Sequence, residues 1–588
     1  MIVTRIHRWL PLTALLLLAL PGRAAAQVDT SRTALPNIAP REVEIRGQLE
    51  ISLPSLQRQP LIGFNPPPRV PRPPAGRQPF AETYKQSSAD LPASPLRRPQ
   101  PPSALGAAYP PARGLIESTV GRYFSRGVQG RLQAPLSRQA SFLLQADYRG
   151  SDGFAPFADL PDVTTPFDAL EGLAGVHTSG AQWAAGFTLS GFVESYDLFG
   201  AGPVTSGGLT PFLPQPKREG NGGTGTVSLS TLNSAPVEAR LDLHYSATRY
   251  ETILATEEPT PDERVERSEQ RFGADADLVV PIPSGDLWID GTASTASLAD
   301  DQGSYAAVDA GGGLRLEVNN TLLLSLGARF LGAFSDTAQP RDGTTETLRI
   351  GYLSPDVRLE FLPVSGVRLY AHNRPGVEAN AVADVFRTNP YIELQPELRP
   401  TLRSIDAEAG ASLFVGPVQV AVRGGFQRMP QYLFFEESAS GVYSSGFSAL
   451  RYGTAEIRHL GGSVSVVLPG GLHAMLGASY RDGRLPDEDT DIPYFAPVAG
   501  EATLSYSFQQ SRGLIQLTGH YENKRYIDRA RSRQVGAYLD LDVEASYRFT
   551  NLLSAVGRVE NIGGNDNARW LQYPEPPVVI GIGMRVSW

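Results

Sequence analysis

From Leu115 to Trp588 apolar and polar residues alternate one by one, and this two-residue period restricts the fold more than any other feature of the chain. Only an extended strand sends successive side chains to opposite faces. In Leu539, Leu541, Val543, Ala545, Tyr547 and Phe549, each apolar residue is separated from the next by Asp540, Asp542, Glu544, Ser546 or Arg548. One face of such a strand meets an apolar medium and the other meets water. The pattern recurs in Val237, Ala239, Leu241, Leu243 and Tyr245 against Glu238, Arg240, Asp242 and His244. It recurs, with Met475 as an exception, in Leu472, Ala474, Leu476, Ala478 and Tyr480, and again in Ile515, Leu517, Gly519 and Tyr521.

Soluble β-sandwiches alternate as well, so three further features decide. The polar face carries charges at consecutive positions, which a packed core rejects and a wet lumen accepts. The apolar segments run for about ten residues, the length a tilted strand needs to cross hydrocarbon. Aromatic residues stand at strand ends, as in Tyr521 with Tyr526 and Tyr547 with Phe549, where a girdle meets lipid headgroups. The reading is all-β: a large transmembrane antiparallel β-barrel of about 22 strands over residues 113–588. A closed sheet of that size encloses a lumen too wide for side chains to fill, so something plugs it or it conducts. Pro469-Gly470-Gly471 and Pro363-Val364-Ser365-Gly366 read as turns, whereas Gly200 to Gly223, Ser335 to Thr345 and Glu436 to Phe447 read as external loops. Gly311 to Gly313 lacks the Lys-Ser/Thr of a phosphate loop and is expected to let a strand bend.

The other regions fit export to an outer membrane. Arg5 and Arg8 precede an apolar run from Leu10 to Leu20 and the small triplet Ala24, Ala25, Ala26, so residues 1–26 read as a cleaved signal peptide. Residues 27–112 form a proline-rich periplasmic segment, dense in Asn65-Pro66-Pro67-Pro68, Pro71-Arg72-Pro73-Pro74 and Pro99-Gln100-Pro101-Pro102, expected to be mostly extended or disordered. Within it Val43, Ile45, Leu49, Ile51 and Leu53 alternate with polar residues, as in a strand that pairs with another partner, or as in a short solitary strand or coil. With no cysteine there is no disulfide, thiol nucleophile or lipid-bearing residue at the signal junction. The formal charge of −9 becomes −9 − 3 = −12 once the three arginines of the signal are gone, which argues against a nucleic-acid partner.

No enzymatic chemistry or cofactor is legible. His177, His244, His372, His459, His473 and His520 show no metal-ligand spacing and no nucleophile motif, and read as lumen-facing or loop residues. Asp300 with Asp301, and Asp487-Glu488-Asp489 with Asp491, read as solvated loops ahead of calcium sites.

From Asn389-Pro390-Tyr391 and Pro396-Glu397-Leu398-Arg399-Pro400 onward, the chain resembles the C-terminal part of a TonB-dependent receptor barrel. Tyr521-Glu522-Asn523-Lys524-Arg525-Tyr526, Val559-Glu560-Asn561-Ile562 and Tyr573-Pro574-Glu575-Pro576-Pro577 carry the match further. The last strand, with Ile580, Ile582, Met584, Val586 and Trp588 on one face, resembles the signal by which the barrel-assembly machinery inserts such proteins among outer-membrane lipids. Such receptors hold a large N-terminal plug in the barrel, and nothing in residues 27–112 resembles it or its partner-binding box. The resemblance therefore implies a plugless relative, a passive or partner-gated conduit or scaffold for solute passage. The alternative is a TonB-coupled active transporter in which the proline-rich segment is a minimal plug and contacts a periplasmic or TonB-type partner.

Overall fold

The computed structural model describes residues 113–588, apart from short stretches within 203–214 and at 233–234, 255–263, 300–302, 320, 339–344 and 438–445. The expected signal peptide, residues 27–112, the Val43 to Leu53 alternation and the Asp300-Asp301 pair lie outside the described residues.

One antiparallel sheet of 25 strands dominates. Three of these, Gly376–Glu378, Thr401–Arg403 and Thr490–Asp491, are short pieces off the wall, which leaves 22 strands in it. The wall closes on itself. The first strand, Gly114–Gly121, pairs with the last, Val579–Ser587, in a register that runs from Leu115↔Ser587 to Gly121↔Gly581. Gly114 and Trp588 exchange both backbone hydrogen bonds, at 2.9 and 3.0 Å. Inside this seam Arg585 Nε donates to Glu117 at 2.7 Å, and Glu117 is buried.

At the end of the barrel where the first strand begins and the last strand ends, consecutive strands are joined by two to six residues. Gly366, Gly470 and Gly471 take positive φ in the two turns expected there. At the other end most connections are longer, up to the thirty-one residues of 374–404. No described helix is long and apolar enough to cross a membrane; the strands do the crossing. Leu229, Leu476, Tyr480, Ile582 and Met584 are exposed on the outer face, while Ser228, Ser479, Arg481 and Arg585 alternate with them on the inner face. Apolar outside and polar inside is the arrangement of a membrane-spanning barrel. Tyr506, Phe508, Tyr547 and Phe549 form a run of ring contacts at 5.8, 6.4 and 5.1 Å at the short-turn end, as expected of a girdle. Tyr526 does not join a girdle: it lies in a small hairpin of the long loops, under the Arg531 guanidinium.

The strands run further than loop composition suggests. The strand Lys217–Thr231 takes in Gly220 to Gly223, Leu322–Ala338 takes in Ser335, and Val418–Glu437 takes in Glu436. At Gly220 the glycine makes room rather than a loop, since a Cβ there would meet the Tyr250 ring at 2.4 Å. Gly311 is explained in the same way: its Cβ would meet the Arg329 guanidinium at 2.9 Å, and the strand Gly303–Asn319 continues through it.

The seam makes a prediction. Arg585→Ala leaves the buried Glu117 carboxylate without its donor and is expected to cost about 2 kcal/mol. Arg149→Ala breaks the exposed pair with Asp147 and should cost under about 1 kcal/mol. Urea unfolding in detergent measures both, and equal losses count against a seam braced from the lumen.

Candidate functional site

The longest described excursion from the wall joins the thirteenth strand, Val367–Asn373, to the fourteenth, Ile405–Val415. Residues 374–404 turn into the long-loop end of the lumen instead of extending outward. The short strands Gly376–Glu378 and Thr401–Arg403 pair with each other at the base, and the helix Val382–Thr388 with its following loop lies between them in sequence.

Wall side chains hold the main chain of this segment from several directions. Arg218, fully buried, donates from Nη1 to Pro390 O at 2.6 Å and from Nη2 to Ile392 O at 3.0 Å. Its Nε donates to Thr252 and its guanidinium lies 4.5 Å from the Phe386 ring. Arg267 Nη2 donates to Pro396 O at 2.8 Å. Glu269 accepts the Val382 N–H at 2.7 Å, and its other oxygen accepts the Tyr305 hydroxyl. The helix has no side-chain cap of its own, so this wall carboxylate serves its N-terminus. Asp309, bridged to Arg329, accepts the Val377 N–H at 3.2 Å. From a later strand the Tyr452 hydroxyl accepts the Arg399 N–H at 2.8 Å.

The motif residues supply the turns that these wall groups grip. Asn389 is fully buried and its Oδ1 accepts the Tyr391 N–H at 2.9 Å, which folds Asn389-Pro390-Tyr391 into a side-chain-closed turn. Leu398 is fully buried, and Asn380 Nδ2 donates to Arg399 O at 2.6 Å. The other motifs lie in neighbouring loops. Glu522 and Arg525 form a buried pair at 2.9 Å, and Asn561 ties its loop by donating to Asn565 O and Pro576 O.

Around the segment the loops share an apolar core. Val163, Phe199, Tyr250, Phe386, Leu398, Phe435, Trp570 and Tyr573 belong to one buried cluster, drawn from strands and loops around the rim. Tyr391 stacks on Tyr573 at 3.4 Å and Phe386 on Tyr250 at 4.4 Å. Burial pushes the Tyr391 and Tyr573 hydroxyls above their ordinary range. Burial also raises the Glu393 carboxyl, which accepts the Leu450 N–H and lies 3.7 Å from Arg451. Hydrogen bonds and ring packing thus hold the segment against the wall.

Other candidate groups are held by polar side chains of the wall or loops. His244 lies 3.4 Å from Asp275, His459 3.2 Å from Glu408 and His520 3.0 Å from Glu522, and His473 meets Ser465. In the acidic loop, Glu488 and Asp491 bind Arg529 and Arg531 of a facing loop. Those carboxylates are neutralised by guanidinium groups. No described cluster of three His, Cys, Asp or Glu suits a metal ion. Ile580, Ile582, Met584, Val586 and Trp588 stand on the lipid side of the last strand, all exposed. Sequence reasoning found the motif turns but missed Arg218, Arg267 and Glu269. Charged residues in alternating strands read only as lumen lining.

No protein-family model matches the chain, and no curated protein does. Solved structures do. The ferric enterobactin receptor PfeA of Pseudomonas aeruginosa is 11% identical over 81% of this chain and 80% of its own, with a TM-score of 0.61. The copper transporter OprC is 13% identical over 81% and 80%, with a TM-score of 0.63. The FrpB iron transporter of Neisseria meningitidis is 12% identical over 81% of each chain, also at 0.63. At these identities the likeness is one of fold, and the fold is that of the TonB-dependent receptor barrels.

Arg218→Met keeps the buried stem and removes the donors to Pro390 and Ile392. The loss is expected to be about 2 kcal/mol, which speeds amide exchange in residues 389–392 by about 30-fold while the wall strands keep their protection. Exchange read by mass spectrometry checks this, and unchanged rates would show that Arg218 does not hold the segment.

Proposed function

We propose that the chain is an outer-membrane barrel of TonB-dependent receptor type that serves as a partner-gated conduit for solutes, with residues 374–404 as the gate across its outer mouth. The supporting observation is the way this segment is held: wall side chains grip its backbone at Val377, Val382, Pro390, Ile392, Pro396 and Arg399. A surface loop has no need of a fully buried arginine, whereas a movable barrier across a wide lumen needs a fixed closed position. The chain reaches the membrane, in this reading, through the signal peptide. The barrel-assembly machinery then recognises Ile580, Ile582, Met584, Val586 and Trp588 on the last strand. No catalytic role or cofactor is proposed.

A second reading is energised uptake, favoured by the transporters of iron and copper among the similar folds. There the proline-rich residues 27–112 would serve as minimal plug and as contact for a TonB-type periplasmic partner. Deleting 28–111 abolishes uptake in cells if this second reading holds and leaves passage through the gated conduit unchanged if the first does.

Single-channel recording in a planar bilayer tests the gate. A chain beginning at Arg113 should be silent or nearly so. The same chain with residues 379–400 replaced by a short Gly-Ser linker should conduct steadily. If the linker variant folds and stays closed, the segment is not the barrier and the reading fails.

A further inference from the structure

At the short-turn end of the lumen, far from the gate, a shallow trough crosses five adjacent strands. Its floor is one cross-strand row on the inner face: Pro135 opposite Ser141, Ser141 opposite His177, His177 opposite Gly186, and Gly186 opposite Ser228. The inward assignment follows from Val176, Phe187 and Val227, which alternate with these residues and are exposed on the outer face. Ser179 and Ser230 lie in a parallel row nearer the rim, and Arg138 and Gln139 of the adjoining turn edge the cavity, whose volume is about 400 Å³. No bulky side chain fills the row. The imidazole of His177 lies over Gly186, where a Cβ would meet its Nδ1 at 2.7 Å.

We infer that this trough is the docking site for residues 99–111 of the same chain, the proline-bearing stretch immediately ahead of the barrel. Three observations support this occupant. The described chain enters at Arg113, whose carbonyl accepts the Gln133 N–H at 2.9 Å, two residues before Pro135 on the trough floor. The preceding residues therefore start beside the site. The chemistry is complementary: Pro99, Pro101, Pro102, Pro110 and Pro111 present carbonyl oxygens and no N–H. The trough offers hydroxyl, amide and guanidinium donors from Ser141, Ser228, Gln139 and Arg138, and among the described residues no carboxylate lines it. The length also fits. Four strand spacings make a floor of about 19 Å. A polyproline helix rising about 3.1 Å per residue covers that distance with about six residues, well within the thirteen of 99–111.

Docking there would lay the segment along one side of the inner mouth as an intramolecular strap. This goes beyond the gate reading and does not depend on it, since the strap can bind whether or not residues 374–404 move.

The chain has no cysteine, so single pairs can be introduced cleanly. In the full mature protein, Ser103→Cys is combined with Ser228→Cys, or with Ser505→Cys, which lies on the inner face of the opposite wall near the same end. A short bis-maleimide is applied to barrels shown to be folded by their compact migration without heating. Docking predicts a cross-link yield to position 228 about tenfold above that to 505, because tethering raises the local concentration at one wall only. Ser228→Trp, which fills the trough, should bring the yield between Ser103→Cys and Ser141→Cys down to the level at 505. Equal yields at 228 and 505, no cross-link in folded barrels, or no effect of Ser228→Trp overturns the proposal.

Discussion

Everything in this molecule depends on the pairing of its first strand with its last. A sheet of 22 strands in hydrocarbon cannot leave an edge, because each unpaired N–H or C=O there costs several kcal/mol with no water to compensate. The register from Leu115↔Ser587 to Gly121↔Gly581 removes that edge, and the buried Glu117–Arg585 pair reinforces it from the wet side. Once the wall is closed, the period-2 alternation has only one arrangement: apolar residues to lipid, polar residues to the lumen. The charged inner face is then available for other work, and four of its charged residues, Arg218, Arg267, Glu269 and Asp309, hold residues 374–404.

Closure also creates the difficulty that the cap addresses. A barrel this wide has an interior that its own side chains cannot fill. The chain fills the long-loop end with backbone. Buried backbone requires partners for its N–H and C=O groups, and here the partners are wall side chains: Arg218, Arg267, Glu269, Asp309 and Tyr452. Their positions are set by strand register, so the segment is placed by the rigid part of the molecule. The aromatic stacking of Tyr391 on Tyr573 and of Phe386 on Tyr250 then excludes water from the junction.

Much of the wall was legible in the sequence, because strand alternation is local and the lipid enforces it. The turn at Pro469-Gly470-Gly471 and the outward face of the last strand follow directly from residue order. Strand ends were less legible. Gly220 to Gly223 read as loop, yet Gly220 and Gly222 leave room for the Tyr250 and Phe192 rings of neighbouring strands to lie across the backbone. That reason is visible only after pairing. The cap was half legible: Asn389-Pro390-Tyr391 and Leu398-Arg399-Pro400 marked an unusual loop by resemblance, but its inward course depends on Arg218 and Glu269, which are more than a hundred residues away. No local pattern can announce such a contact.

The central claim is that residues 374–404 occupy the mouth of a closed barrel, and a distance measured in lipid tests it most directly. Spin labels at Asp384→Cys, in the exposed part of the helix, and Leu353→Cys, on the outer face of the wall, report the position of the segment. Electron–electron resonance should return a single narrow distance in the resting protein. A broad distribution, with the helix ranging outside the mouth, would contradict the account.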